Sequence, residues 1–177
     1  MDAEPPEVLI VAGPNGAGKT TFALEIIGNE IPDMPFINAD VIAAELNPDH
    51  PEAVAVQAGR QMFTAIGEQV ENRASFCIET TLSGKAWVRR ILDWKKQGYK
   101  VTLIYLKLQS ALQSKKRVAA RVQHGGHNIP PEDIERRFEK GLRNFHDIYK
   151  PIVDDWYLYD NAGKRKLLES KNDEPDA

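Results

Sequence analysis

The sequence has little of several features that would point to other classes of protein. It contains one cysteine, Cys77, which cannot form an internal disulfide, so we expect a reducing, cytoplasmic location. Cys77 lies in the apolar run Phe76-Cys77-Ile78, which predicts a buried core thiol. No apolar run approaches the roughly 20 residues of a membrane helix, and the acidic start does not resemble a signal peptide. We therefore expect no membrane partner.

An excess of positive charge is also missing. The chain has 23 Lys and Arg against 26 Asp and Glu, for a formal net charge of -3. This balance argues against nucleic acid as the main partner, because binding to a phosphate backbone needs basic residues. A length of 177 residues with 42% hydrophobic and 28% charged residues is typical of one compact domain.

Short apolar runs alternate with segments of helical period. Val8 to Ala12 is β-branched and wholly apolar, which predicts a strand buried on both faces. Four further strands are predicted near residues 35–38, 75–79, 100–108 and 155–159, with a last short one near 165–168 left open. Alternating strands and helices predict an α/β fold with a parallel sheet.

Two predicted helices follow one another without a strand between them, over residues 110–148. We interpret this segment as a helical lid on a single domain of residues 1–169. Residues 170–177 are polar and predict a disordered tail.

A glycine-rich loop follows the first strand and carries the strongest motif in the chain, Gly13-Pro14-Asn15-Gly16-Ala17-Gly18-Lys19-Thr20. Its glycines let successive N–H groups bind phosphate oxygens, and the following helix adds the positive end of its dipole. Lys19 is expected to reach the β- and γ-phosphates, and Thr20 to ligate Mg²⁺. We predict that residues 13–21, including Thr21, bind ATP with Mg²⁺.

Acidic residues follow two of the shorter strands, at Asp40 and Glu79, whereas the longest apolar strand, 101–108, carries none. The carboxyl ends of parallel strands meet beside the P-loop, so we expect both acids near the γ-phosphate. Asp40 is the candidate general base of a kinase. The alternatives are a helix cap for Asp40 and a surface position for Glu79.

The segment Glu79-Thr80-Thr81-Leu82-Ser83 places one carboxylate and three hydroxyls at a strand end. Such a group suits a hydroxylated or phosphorylated acceptor, and Glu79, Thr80 and Thr81 are the candidate contacts. A helix cap at Ser83 is the alternative reading.

Arginines are concentrated in the predicted lid. Arg117 and Arg121 lie four residues apart on one helical face, where they would bind the nucleotide and stabilise the transferring phosphoryl group. In the next helix, the apolar stripe predicts that Arg136 points into solvent and that Arg137 reaches inward. A solvated basic face is the alternative.

Two smaller features complete the candidate site. Asp160-Asn161 ends the fifth strand, where P-loop kinases often bind adenine, so Asn161 is a candidate nucleotide contact and a plain turn is the alternative. His124 and His127 lack nearby Cys or Asp, which favours a lid turn over a metal site.

Taken in order, these motifs resemble the zeta-toxin family of P-loop kinases. The resemblance rests on the P-loop, Asn38-Ala39-Asp40, Glu79 to Gly84, Arg117-Val118-x-x-Arg121-Val122, Gly125-Gly126-His127-Asn128-Ile129-Pro130, Arg137 and Leu158-Tyr159-Asp160-Asn161. It implies a nucleoside-monophosphate-kinase-like, three-layer αβα P-loop NTPase fold with a five-stranded parallel sheet in the order 2-3-1-4-5.

The resemblance also implies an activity, which is transfer of a phosphoryl group from ATP to a hydroxyl of UDP-N-acetylglucosamine or a related UDP-amino sugar. It implies an antitoxin as a partner. By the same resemblance Asp40 is the general base, Glu79 and Thr80 contact the acceptor, and Arg121 and Arg137 are the lid arginines. The alternatives are a kinase for another metabolite, a nucleotide or an RNA end, and a nucleotide-binding switch that works through a protein partner.

Overall fold

The structure is a computed structural model that describes residues 4–126 and 128–173. Within these ranges the strands are β1 Glu7–Ala12, β2 Phe36–Ile37, β3 Phe76–Thr80, β4 Lys100–Lys107, β5 Asp155–Asp160 and β6 Lys166–Ser170. The α-helices are α1 Lys19–Asn29, α2 Ala39–Leu46, α3 Ala55–Glu71, α4 Ala86–Lys96, α5 Ala111–Gln123 and α6 Pro131–Asn144. A 3-10 turn at Pro51–Val54 precedes α3, and a π-helical turn at Phe145–Tyr149 extends α6.

All described strands belong to one sheet in the order β2-β3-β1-β4-β5-β6. The first five in this order pair in parallel, so the expected order 2-3-1-4-5 is confirmed. Because β1 lies between β3 and β4, the loop after β1 is central at the edge where the parallel strands end.

The five expected parallel strands are all present, and β6, at the place of the strand left open near 165–168, adds a sixth that pairs antiparallel with β5. Only residues 161–165 separate β5 from β6. A parallel crossover needs about a dozen residues or more, so this short connection returns the chain as a hairpin.

The ordered chain also extends past the boundary expected at residue 169. Ser170 is buried at the end of β6, and Lys171–Asp173 form a 3-10 turn. Residues 170–173 of the expected tail thus belong to the described structure, and residues 174–177 lie outside the described residues. Among the helices of the described ranges, none is both long enough and apolar enough to span a membrane.

The central strand is buried on both faces, as its apolar run predicts. Val8 and Ile10 pack into a core that also holds Trp87 and other side chains of α3 and α4. Leu9 and Val11 point to the opposite face and pack in a second core with α1. Since α1 covers one face and α3 and α4 the other, the sheet is the middle of three layers.

Cys77 belongs to the second of these cores and is fully buried. Burial, together with the charge of Glu79, raises the pKa of its thiol to about 12. The prediction of a core cysteine is therefore confirmed.

Candidate active site

The P-loop connects β1 to α1, and its lysine is held inside the loop. Lys19 is 7% exposed, and its Nζ donates to the carbonyl of Pro14 at 3.1 Å. Gly16 has a φ of 76°, and a Cβ at this position would lie 2.9 Å from the Cβ of Arg117. Only glycine therefore fits where α5 packs directly against the loop.

Helix α5 is fastened to the P-loop by two side chains. The hydroxyl of Ser114 donates to the carbonyl of Asn15. The guanidinium of Arg117 donates to the carbonyl of Gly16 at 3.3 Å and, at 3.0 Å, to that of Asn161. Sequence reasoning missed Ser114, which lies one helical turn before Arg117.

Asn161 completes this contact from the end of β5. Its Nδ2 donates to the carbonyl of Ala17 at 2.7 Å, and Arg117 also donates to the carbonyl of Ala162 at 2.6 Å. Arg117 and Asn161 thus lie together on the β5 side of the P-loop, whereas Thr21 is exposed on the first turn of α1. Their expected role in nucleotide binding stays a prediction.

Glu79 lies on the other side of the P-loop, near the end of β3. Its Oε2 accepts hydrogen bonds from the Thr20 hydroxyl at 2.6 Å and from Nδ2 of Asn38 at 2.8 Å. Its Oε1 lies 3.6 Å from Nζ of Lys19. Glu79 therefore contacts the P-loop itself, in agreement with the expected position near the γ-phosphate, while its contact with the acceptor stays a prediction.

Asn38 caps the N-terminus of α2, so the Asp40 carboxylate does not serve as the cap. Asn38 is the N-cap of α2, and its Oδ1 accepts from the backbone N–H of Asp40 at 2.7 Å. The alternative reading of Asp40 as the cap is therefore wrong. The Asp40 side chain is exposed on the first turn of α2.

A cavity of about 600 Å³, which we call the main cleft, opens beside these residues. Its lining brings together seven of the predicted site residues, namely Asn15, Lys19, Asp40, Glu79, Thr80, Thr81 and Arg137. Its size suits a small molecule. Residues from α1, α2, β3 and α6 meet there, although they are far apart in the sequence.

Two neighbouring arginines of α6, Arg136 and Arg137, both line the main cleft. Arg136 was expected to point into solvent, and its side chain is 49% exposed, while it also lines the open cleft next to Arg137. Its Nη2 lies 2.6 Å from Oδ1 of Asp133, which also lines the cleft. This ion pair, one helical turn along α6, draws the long side chain towards the cavity.

Arg121 lines a smaller neighbouring cavity rather than the main cleft. The two expected lid arginines, Arg121 and Arg137, are therefore in adjacent cavities, and both of these cavities include Asp40. In the turn between α5 and α6, Nδ1 of His124 lies 2.8 Å from the carbonyl of Ala120, whereas His127 lies outside the described residues.

The threonines after β3 combine structural contacts with exposure to the main cleft. The Thr80 hydroxyl accepts from the backbone N–H of Leu82 at 3.2 Å and from Nε1 of Trp87 at 3.0 Å. The hydroxyls of Thr81 and Ser83 lie 3.0 Å apart. Because the Thr80 hydroxyl already accepts two hydrogen bonds, it can contact a bound substrate only as a hydrogen-bond donor.

The groups around Lys19 shift its pKa in opposite directions. Burial is the largest influence and lowers the pKa of Lys19 below its ordinary value. The carboxylates of Glu79 and Asp40 act in the opposite direction, and Arg121 adds to the lowering. A bound anion would stabilise the charged form of this lysine and so raise its pKa.

The residues around Thr20 fit a magnesium ion. Mg²⁺ prefers oxygen ligands, and in nucleotide sites it takes one or two from the protein and the rest from phosphates and water. The Thr20 hydroxyl and the Glu79 carboxylate provide such a pair. In residues 4–126 and 128–173 no group of three or more His, Cys, Asp or Glu is placed to hold a metal, which this mode of binding does not require.

Solved structures with the same fold include kinases. A chain of the PezAT chromosomal toxin-antitoxin system of Streptococcus pneumoniae superposes with a TM-score of 0.76 at 17% identity, covering 99% of this chain and 76% of that one. A gluconokinase from Sinorhizobium meliloti 1021 superposes with a TM-score of 0.55 at 15% identity, covering 90% and 85%. At these identities the likeness shows the shared fold alone.

The sequence comparisons give the family. The family model described as Zeta toxin matches residues 1–173, so the chain belongs to the zeta toxin family. An uncharacterized protein from Haemophilus influenzae is 28% identical over 138 residues, which cover 75% of this chain and 92% of that protein.

Proposed function

We propose that this protein transfers the γ-phosphoryl group of ATP to a hydroxyl of a small-molecule acceptor. The observation that carries the proposal is the main cleft, which places Asp40 and Arg137 beside Lys19 of the P-loop. A kinase site needs a phosphate cradle, a base for the acceptor hydroxyl and cations for the charge on the transferring group. A nucleotide-binding switch does not require a cleft with a carboxylate and an arginine beside the P-loop.

The donor side is assigned to the P-loop and the residues packed on it. The backbone N–H groups of residues 13–20 and the Lys19 ammonium bind the phosphates, and Asn161 with Arg117 borders the position of the adenine. Thr20 and Glu79 would hold Mg²⁺, which would supply positive charge against the negative charge that develops during transfer. This gives Glu79 a role towards the donor, in place of the acceptor contact that the family resemblance implies.

The acceptor side is assigned to the main cleft. Asp40 accepts the proton of the attacking hydroxyl, because its carboxylate is free of the capping role and faces the cleft. Thr80 and Thr81 orient the acceptor by hydrogen bonds. Arg137 and Arg121 approach from the two helices of the lid and stabilise the charge on the transferring phosphoryl group.

Within this function we propose a UDP-amino sugar such as UDP-N-acetylglucosamine as the first acceptor to test, and an antitoxin as the protein partner. Membership in the zeta toxin family supports both. Arg136 and Arg137 of α6 give the cleft a cationic side that suits an acceptor carrying phosphate.

The test is a mass-spectrometric screen for a gain of about 80 daltons, one phosphoryl unit, on candidate metabolites incubated with ATP and Mg²⁺. UDP-sugars are screened first, followed by nucleotides and RNA ends. We expect the wild-type protein to give a phosphorylated product and Asp40→Asn to lose transfer while it still binds ATP.

Two outcomes would contradict the proposal. ATP hydrolysis that no acceptor stimulates would favour a switch over a kinase. Full turnover by Asp40→Asn would show that Asp40 is not the base. Lys19→Ala serves as the control for nucleotide binding, since a variant without the lysine should no longer retain ATP.

A further inference from the structure

Residues 80–84, which we call the acceptor segment, contain a buried residue in a conformation that side chains disfavour. Leu82 has a φ of 52°, in the left-handed region that residues other than glycine rarely adopt. Its side chain is fully buried in the core that also holds Trp87. Such backbone strain persists only where the surrounding contacts enforce it, and it is concentrated at functional sites. The contacts that hold Leu82 are therefore candidates for a functional role.

The turn at Leu82 places two hydroxyls together at the main cleft. Thr81 and Ser83, on either side of Leu82, both line the cleft, and their hydroxyl oxygens lie 3.0 Å apart. In an extended strand, residues two apart project from the same face but lie about 7 Å apart along the chain. The left-handed turn thus brings the two hydroxyls within hydrogen-bond distance while the Leu82 side chain enters the core.

The carbonyl of Leu82 is held from α6 by Asn144. Nδ2 of Asn144 donates to this carbonyl at 2.7 Å, and Asn144 is 9% exposed. Because a carbonyl only accepts, this contact needs the NH₂ group of the amide. A side chain without a donor at position 144 would leave a buried carbonyl without its partner, which is unfavourable.

The π-helical turn Phe145–Tyr149 brings a second side chain to the same segment. The hydrogen bonds of a π-helical turn join residues five apart, and such turns are frequent at functional sites. Tyr149, five residues after Asn144, donates its hydroxyl to the carbonyl of Gly84 at 2.7 Å. The carbonyls on either side of Ser83 are thus both held from the end of α6.

We propose that Asn144 is a positioning residue for phosphoryl transfer, which holds the turn at Leu82 so that the hydroxyls of Thr81 and Ser83 face the acceptor. Asn144 does not itself line the main cleft, so it acts through the segment that it holds. Arg137 lines the cleft from the same helix, two turns before Asn144, so α6 fixes the two hydroxyls relative to this arginine. The inference rests on the proposed kinase function for the reaction, but not for the hold on the acceptor segment.

Hydrogen exchange measures this hold without catalysis. The backbone amides of residues 82–84 are followed by NMR in the whole protein, in wild type and in Asn144→Ala. Loss of the buried donor should speed their exchange by about tenfold or more, because the turn loses a contact that enforces it.

Thr102→Val is the matched control. The Thr102 hydroxyl is also buried and donates to the Glu7 carboxylate, but it lies towards the start of β4, away from the main cleft. This substitution removes a hydrogen bond without changing the shape of the side chain, and it should leave the exchange of residues 82–84 unchanged.

Asn144→Asp separates hydrogen-bond donation from packing. A carboxylate has the shape of the amide but cannot donate, whereas a protonated carboxyl group can donate its O–H to the Leu82 carbonyl. Burial beside a carbonyl raises the pKa of a carboxyl group, so protection of residues 82–84 should be low at about pH 8 and return towards the wild-type value at about pH 5. Protection is compared after correction for the intrinsic pH dependence of exchange, and Asn144→Ala should stay poorly protected at both values.

Kinetics with an acceptor found in the screen distinguishes positioning from a general loss of stability. Asn144→Ala should raise the KM of the acceptor by about tenfold, because two hydroxyl contacts are no longer held in place, and leave the KM of ATP unchanged. Thr102→Val should change neither constant.

The possible failures are distinguishable. Unchanged exchange of residues 82–84 in a folded Asn144→Ala, or low protection of Asn144→Asp at both pH values, would overturn the inference and leave the kinase function unaffected. An equal rise in both KM values would also overturn it, since Asn144 would then have a structural role only. If no acceptor is phosphorylated, the proposed function fails, while hydrogen exchange still reports whether Asn144 holds the segment. If Asn144→Ala does not fold, as judged by circular dichroism, the comparison of Asn144→Asp at the two pH values takes its place.

Discussion

The hydroxyl of Thr20 lies 2.6 Å from Oε2 of Glu79, and this hydrogen bond joins the P-loop to the neighbouring strand β3. Because β3 pairs with β1 in register from Val8 to Ala12, the end of β3 must come beside the start of α1. The carboxylate is oriented by Asn38 as well, at 2.8 Å. The Glu79 carboxylate thus contacts the nucleotide side of the site.

Glu79→Gln should weaken the contribution of magnesium to nucleotide binding. The amide keeps the size of the side chain but removes the negative oxygen that a hard cation prefers. We expect the affinity for ADP without metal to be retained, and the gain on adding Mg²⁺ to fall by about tenfold or more. Calorimetric titration of ADP with and without Mg²⁺ measures both quantities.

Asp40→Asn is the matched control for this experiment. It also neutralises an acid of the main cleft, but at a residue that does not contact Thr20. It should keep the full magnesium effect. An unchanged magnesium effect in Glu79→Gln, together with a raised KM for the acceptor, would return Glu79 to the acceptor side and overturn the assignment.

Much of this site follows from local patterns in the sequence. The apolar run from Val8 to Ala12 and the loop ending at Lys19 predict a strand, a phosphate cradle and a helix, because each depends on residues close together in the chain. The role of Glu79 could not be predicted in this way. It depends on the order of the strands, which puts β3 rather than β4 on the Thr20 side of the loop.

Gly141 should not tolerate alanine, because α6 touches the acceptor segment at this point. A Cβ here would lie 2.6 Å from the carbonyl oxygen of Thr81 and 2.8 Å from the hydroxyl of Tyr105. Such overpacking costs about 1–3 kcal/mol, and relief requires a shift of the Thr81 backbone. Gly141→Ala should lower the free energy of unfolding in urea and raise the KM of the acceptor.

Gly67→Ala provides the control for this change. Gly67 also lies inside a helix, but nothing lies within 4 Å of the Cβ that alanine would add. The better helix propensity of alanine should then raise the free energy of unfolding by up to about 1 kcal/mol. Equal effects of the two substitutions would mean that α6 does not approach Thr81 as closely as described.

Helical periodicity explains why some orientations are predictable and others are not. The apolar stripe of α6 places Ile134 in the interior, and it is buried. The same geometry predicted that Arg136 points into solvent, and its side chain is 49% exposed. It also lines the main cleft, because a long side chain that pairs with Asp133 at 2.6 Å reaches beyond the helix face on which its Cα lies.

Cys77 should react with alkylating reagents only when the protein unfolds. Its thiol is fully buried, and its pKa of about 12 leaves roughly one molecule in ten thousand as thiolate at pH 8. Labelling by iodoacetamide, followed by mass spectrometry across a urea series, should show a midpoint that coincides with loss of circular dichroism. Rapid labelling without urea would contradict the described position of Cys77.

Lys19 gives the nucleotide site a predictable dependence on pH. Burial holds the pKa of the free lysine below its ordinary value of 10.5, while bound phosphate favours the charged form and raises that pKa. Between the two values binding takes up a proton, so ADP affinity should fall as pH rises through this window and stay constant below it. Calorimetry in two buffers of different ionisation enthalpy measures the uptake, and Lys19→Arg, which stays charged, should show none. Proton release on binding, or uptake retained in Lys19→Arg, would exclude Lys19 as the group responsible.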